Sequence, residues 1–169
     1  MQASSQPFVL SLSPGGFSNI SQILDIRPYV SMARATDDFW DNWQLYMNEG
    51  GGSGWASGAS HWDAARDLVA AVQTDSAGET FWLDLDMLPF GRIGHGAPCP
   101  KPFAGVAPGC SRPSRLTASE QRSILTLWSF AHSPLFVGGD LRSMERATME
   151  ILQHSAVLAM ADDLDESWE

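Results

Sequence analysis

Lysine is almost absent from this sequence. Lys101 is the sole example, and with the arginines it brings the basic side chains to 10 against 20 acidic ones, a formal net charge of -10. So acidic a chain suits no nucleic-acid partner, because affinity for that backbone comes from Lys and Arg neutralising phosphates. Long apolar runs are missing too. Nothing approaches the roughly 20 residues that a membrane-crossing helix needs, so no membrane partner is expected. The opening Met1–Pro7 stretch lacks basic residues, and the apolar Phe8-Val9-Leu10 after it is too short for an export signal. The sequence names no compartment.

Cysteine is scarce as well. Cys99 and Cys110 flank a Pro/Gly-rich loop, where a disulfide and two free thiols are both open. Neither forms a C-x-x-C pair, and His61, His95, His132 and His154 show no H-E-x-x-H spacing. No metal and no organic cofactor is expected. What is present, 44% hydrophobic and 18% charged residues, fits one soluble globular domain.

Strand-like and helix-like stretches alternate four times. Phe8–Ser13 reads as a buried strand ending at Pro14-Gly-Gly16, with Ser18 capping a short helix that shows Ile20, Ile23 and Leu24 on one face. Tyr29–Ala33 is the second strand, followed by a helix through Trp43 and Met47 and a glycine-rich loop at Gly50–Gly54. Asp63–Gln73 is amphipathic, with Ala65, Leu68, Val69 and Val72 on one side, and Thr80–Asp84 is the third strand. A long loop, Pro98 to Pro113, precedes the clearest helix, which opens with the capping box Thr117-Ala-Ser-Glu120 and ends at Ser133-Pro134. Leu135–Val137 is the fourth strand, and a helix from Met144 to about His154 follows. The division expected is 1–160 as one folded domain and 161–169 as a loose acidic tail.

Repeated strand–helix units predict a parallel α/β sheet with crossover helices. A small doubly wound sheet and part of a (β/α)8 barrel both satisfy the pattern, although a whole barrel needs about 250 residues. In both, function gathers at the carboxyl ends of the strands. There the sequence places Ser13, then Arg34 with Asp37 and Asp38, then Asp84 and Asp86, then Asp140. Acids beside aromatic rings such as Trp40 and Trp82 suit a carbohydrate, and cleavage of a glycosidic bond needs two carboxyl groups. Asp140 serves equally well as a helix cap. Asp84 and Asp86 alternate, which puts both on one face of an extended segment.

Trp82-Leu-Asp-Leu-Asp-Met-Leu88, with Arg34-x-x-x-Asp38 before it and Leu127-Trp128, Ser133-Pro-Leu-Phe136 and Asp140-Leu-Arg142 after it, carries a resemblance. The combination is similar to glycoside hydrolase family 27, the α-galactosidase (melibiase) family, from about Phe8 to about Met160. The resemblance implies the second half, strands five to eight, of a (β/α)8 TIM barrel. It implies a retaining α-glycosidase acting on terminal α-galactosides or α-N-acetylgalactosaminides, without metal or cofactor, in a secreted or periplasmic parent protein. Asp38 matches the general acid/base, with Asp37 the runner-up, and Arg34, Asp86 and Met87 match sugar-contacting positions, which Asp84 is expected to join in binding substrate. Ser13 stands where many relatives carry Glu, which leaves room at the sugar's 2-position. The family nucleophile lies in a Lys-x-Asp motif, whereas Lys101 is followed by Pro-Phe. The nucleophile is therefore expected to be absent from the chain, leaving the isolated chain inactive and prone to self-association through open barrel edges. Two rivals stand beside this reading: a non-catalytic sugar-binding module and a small doubly wound domain of unrelated function.

Overall fold

The computed structural model of the protein describes residues 8–13, 20–48, 61–73, 81–100 and 109–162. Three short parallel strands form the central sheet: β1 (Ser11–Leu12), β2 (Met32–Arg34) and β3 (Trp82–Asp84), in that order. The register sets Leu12 beside Ala33 and Arg34 beside Asp84. Between the strands run α1 (Ile20–Ile26) and α2 (His61–Gln73). The fourth expected strand is reduced to one parallel bridge, Leu88 to Val137, with Leu88 N–H donating to Phe136 O and Gly138 N–H to Leu88 O.

Beyond β3 the chain forms an antiparallel hairpin, β4 (Arg92–Ile93) with β5 (Arg112–Pro113). This corrects one end of the loop expected from Pro98 to Pro113, since Arg112 and Pro113 are β5; residues 101–108 of it lie outside the described residues. The proline and glycine content hid strands of two residues each, too short to show alternation. Cys99 and Cys110 are disulfide-bonded, which settles the alternative left open by the sequence. Then come α3 (Ala118–Phe130), α4 (Arg146–Leu152) and α5 (Ser155–Asp162). The capping box of α3 is formed on both sides: Thr117 accepts from the Glu120 N–H and Glu120 accepts from the Thr117 N–H.

Several boundaries moved for local reasons. Tyr29 lies in a 3-10 turn, Arg27–Tyr29, that Pro28 initiates, so β2 starts three residues later than expected. A five-residue π turn, Gln44–Asn48, stands where an α-helix was expected. Phe8, Val9 and Leu10 are exposed rather than buried, because β1 is the edge of the sheet. Helix α5 was not anticipated and extends to Asp162; the rest of the acidic tail, Ser18 and Gly50–Gly54 lie outside the described residues. The core joins the inner side of α3 to the strands, with Ile124, Leu125 and Trp128 packed against Phe39, Leu83, Leu85, Leu88 and Phe90. Among the described residues, no helix is long and apolar enough to cross a membrane.

Candidate active site

Adjacent strands deliver the charged residues to one edge of the sheet. Arg34 ends β2 and Asp84 ends β3, as direct register partners. Ser13, one residue past β1, continues the register to the level of Arg34 and is exposed. The Arg34 guanidinium reaches two carboxylates with one nitrogen: Nη2 lies 3.0 Å from Asp38 Oδ1 and 3.3 Å from Asp86 Oδ2. Its Nε donates to Thr36 O at 3.3 Å, which orients the fork. Asp38 is largely exposed, at 75% of its side chain, whereas Asp86 retains 14%.

Asp86 has φ +80°, a left-handed conformation that costs a non-glycine residue energy and persists only where its surroundings enforce it. Three bonds do so. Its N–H donates to Asp84 Oδ1 at 2.8 Å, its carbonyl accepts Trp128 Nε1 at 2.7 Å, and its carboxylate accepts the Phe39 N–H at 2.5 Å. Residue 86 thus ties the segment after Asp38 to the central helix. Burial pushes both Asp84 and Asp86 above the ordinary carboxylate range. The Arg34 charge and the N–H groups they accept offset that shift only in part.

The structure therefore brings together Arg34, Asp38, Asp84 and Asp86. Asp37 is half-buried beside them, and Met87 is half-buried where Gly138 passes it so closely that a Cβ on Gly138 would overlap its sulfur. Asp140 does not join them: it caps the 3-10 turn Leu141–Ser143 and pairs with Arg142 at 2.9 Å. Among the described residues, no group of three or more His, Cys, Asp or Glu side chains is arranged to hold a metal.

Sequence reasoning missed two features. Asp41 is fully buried and accepts from Arg112 at 2.5 and 2.7 Å, from the Arg115 N–H at 2.6 Å and from Arg115 Nη2 at 3.2 Å. Burial raises its pKa, but the bonds from Arg112 and Arg115 outweigh it and hold Asp41 below the usual carboxylate range. Its partners lie more than 70 residues away in sequence, so no local pattern announced them. The other feature is an aromatic cluster beneath Asp38, in which His61 stacks on Trp128 at 5.8 Å and Phe39 packs on Tyr46 at 5.5 Å. Burial, then the Asp38, Asp41 and Asp86 carboxylates, push the Tyr46 hydroxyl up to about 12. Burial pulls His61 down to about 4, so it is a neutral packing residue at neutral pH.

No protein-family model matches the chain. It is 35% identical over 105 residues to α-galactosidase D of Emericella nidulans, across 61% of this chain and 13% of that protein. It is 29% identical over 130 residues to α-galactosidase A of Cellvibrio japonicus, across 77% of this chain and 25% of the relative. The solved structure of a β-L-arabinopyranosidase of glycoside hydrolase family 27 from Geobacillus stearothermophilus superposes with a TM-score of 0.70 at 31% identity, over 93% of this chain and 31% of that one. The chain thus spans less than a third of the length of each.

Proposed function

Because the chain belongs to glycoside hydrolase family 27, we propose that it forms the acid/base side of a retaining α-glycosidase of the α-galactosidase type. Its substrates in this reading are terminal α-galactosides or α-N-acetylgalactosaminides of oligosaccharides and glycans. One observation carries it: a single guanidinium, Arg34, holds Asp38 and Asp86 together at the carboxyl ends of neighbouring strands. In this reading β1, β2, β3 and the Val137 segment are strands five to eight of the barrel.

Asp38, the exposed carboxyl of the group, protonates the departing glycosidic oxygen and then removes a proton from the incoming water. Arg34 and Asp86 bind sugar hydroxyls, the guanidinium as donor and the carboxyl as acceptor, with Asp84 fixing the backbone of residue 86. Met87 supplies an apolar contact, and Ser13 leaves space beside the sugar for a 2-N-acetyl group. The covalent step needs a second carboxylate, which the chain's own Lys-x-Asp-free sequence does not offer. A strand from outside these residues supplies it, and the 169-residue chain alone is expected to be inactive on aryl α-galactosides. The Cys99–Cys110 bridge suits a secreted or periplasmic setting.

The experiment is Asp38→Asn in a complete barrel, made by joining this chain to the nucleophile-bearing half of a relative. Substrates with very good leaving groups should still glycosylate the enzyme, substrates that need protonation should slow strongly, and azide should restore turnover by replacing the activated water. Wild-type behaviour in Asp38→Asn, with this pattern in Asp37→Asn instead, overturns the assignment. A second reading, β-L-arabinopyranoside hydrolysis, is favoured by the TM-score of 0.70 at 31% identity to the Geobacillus enzyme. That sugar lacks the C6 hydroxymethyl of galactose, so kcat/KM on the two matched aryl glycosides decides between them.

A further inference from the structure

The hairpin of β4 and β5 lies on the carboxyl side of the sheet by topology. The chain leaves β3 at Asp84, passes Asp86 and enters the hairpin before α3 returns along the sheet. Two anchors hold it across the ends of different strands, and a third bond closes its own base. Arg112 and Arg115 grip Asp41, three residues after Asp38. The Asp140 N–H donates to Arg92 O at 2.7 Å, and the Ser114 N–H to Gly91 O at 2.7 Å. Gly139 runs so close beneath that a Cβ there would overlap the Phe90 carbonyl. At its far end the Cys99–Cys110 bridge and the pairing of Cys99 with Ser111 close the ribbon.

This ribbon is fastened to the loop that carries Asp38, and a general acid protonates the oxygen of the leaving group. The leaving group therefore departs on the side of the site that the ribbon borders. The exposed surface there is Gly94, His95, Gly96, Ala97 and Pro98. It has no Asp, Glu, Lys or Arg. Gly94 and Gly96 hold φ of +81° and +71°, which fixes the turn around His95, and a Cβ on Gly96 would meet nothing within 4 Å. Among the described residues this stretch carries no charged side chain, and its backbone amides and one imidazole suit an uncharged hydroxylated group. We propose that this ribbon is the leaving-group wall of the site and that His95 contacts a carbohydrate leaving group. The inference rests on the glycosidase reading and names which face meets the second sugar.

The test is an NMR titration, with galactose, methyl α-galactoside and an α-galactosyl disaccharide, of the complete barrel made by joining this chain to the nucleophile-bearing half of a relative, with that nucleophile replaced by Asn so that no substrate turns over. Galactose should move the amides of Phe39 and Met87, and the disaccharide should also move those of Gly94, His95 and Gly96. The disaccharide should bind more tightly than the methyl galactoside, and His95→Ala or Ala97→Arg should cut that preference by roughly threefold to tenfold, the value of about one hydrogen bond. Both variants should leave galactose affinity unchanged, and both positions are exposed. An unaltered preference in both variants, or disaccharide shifts outside the ribbon with galactose shifts intact, overturns the leaving-group assignment alone. Silence at Phe39 and Met87 with every sugar would instead remove the glycosidase reading, and this inference with it.

Discussion

Asp41→Asn is the sharpest test of how the acid/base loop is held. The substitution keeps shape and removes one acceptor oxygen and the charge. Two donors face each carboxylate oxygen: Arg112 Nη1 and the Arg115 N–H at Oδ2, Arg112 Nη2 and Arg115 Nη2 at Oδ1. Whichever oxygen becomes an amide nitrogen, two donors are left facing a donor. Arg112 is only 8% exposed, so water cannot replace what it loses. Breaking a buried pair by removing one partner costs about 3–5 kcal/mol, and two charge-assisted hydrogen bonds at about 1.5–3 kcal/mol each give the same range. For a domain of this size, each kcal/mol moves Tm by about 2–4 °C, so a fall of roughly 6–20 °C is expected. Thermal unfolding followed by circular dichroism and tryptophan fluorescence measures it. Asp41→Leu with Arg112→Met should recover part of the loss, because the buried Arg112 charge is gone and the more exposed Arg115 guanidinium can turn to solvent. An Asn variant within about 1 kcal/mol of the parent, or a double variant no better than the single one, would refute the reasoning. The sign with pH follows from the lowered pKa. The stabilisation is present above the unfolded value of 3.8 and is lost as pH falls through the lower folded value.

Further outcomes follow from individual contacts. His61 titrates at about 4 in the fold against 6.5 when unfolded, so stability should fall by about 3 kcal/mol as pH drops from about 6.5 to 4. His61→Phe should abolish that component in urea titrations at the two pH values, and an unchanged pH slope would exclude His61 as its source. Gly139→Ala should destabilise by about 1–3 kcal/mol, because the new Cβ meets the Phe90 carbonyl, which is backbone and cannot swing aside. A neutral urea midpoint for Gly139→Ala would show that the turn can open.

Helix α3 was legible because every cue is local: the capping box, the 3.6-residue spacing of Ile124, Trp128 and Ala131, and the Ser-Pro stop. Strand β3 as far as Asp84 was legible for the same reason, and so was the Arg34–Asp38 spacing that the structure turns into an ion pair, whereas Asp86, expected on the same extended face as Asp84, lies past the strand at φ +80°. The failures share a different cause. The edge position of β1 and the reduction of Leu135–Val137 to one bridge depend on which neighbours the sheet has, which no single segment encodes. The grip on Asp41 depends on arginines that lie in a proline-rich stretch. The spacing Arg112-x-x-Arg115 ahead of a helix cap is a weak signal, and nothing local ties it to Asp41.

Asp41 and Asp84 are the same residue type treated in opposite ways, and the difference separates scaffold from site. Two guanidiniums serve Asp41, whereas Arg34 alone stands among Asp38, Asp84 and Asp86. Acceptors in excess of donors are what a hydroxyl-rich ligand needs, and their cost falls on the folded protein. Burial raises the folded pKa of Asp84 above 3.8, so its favourable contribution is present below the unfolded value and disappears as pH rises through the folded one. At neutral pH the ionised group is a net cost. Asp84→Asn imitates the protonated acid at every pH and can still accept the Asp86 N–H through its amide oxygen. Its Tm should therefore match or exceed the parent's at pH 7, with the advantage shrinking toward pH 3. Galactose affinity should fall in the same variant, because residue 84 no longer balances the Arg34 charge that orients Asp86. A variant destabilised at pH 7 and equally so at pH 3 would mean that the Asp84 carboxylate holds the fold together and is no reserve of unspent acceptors.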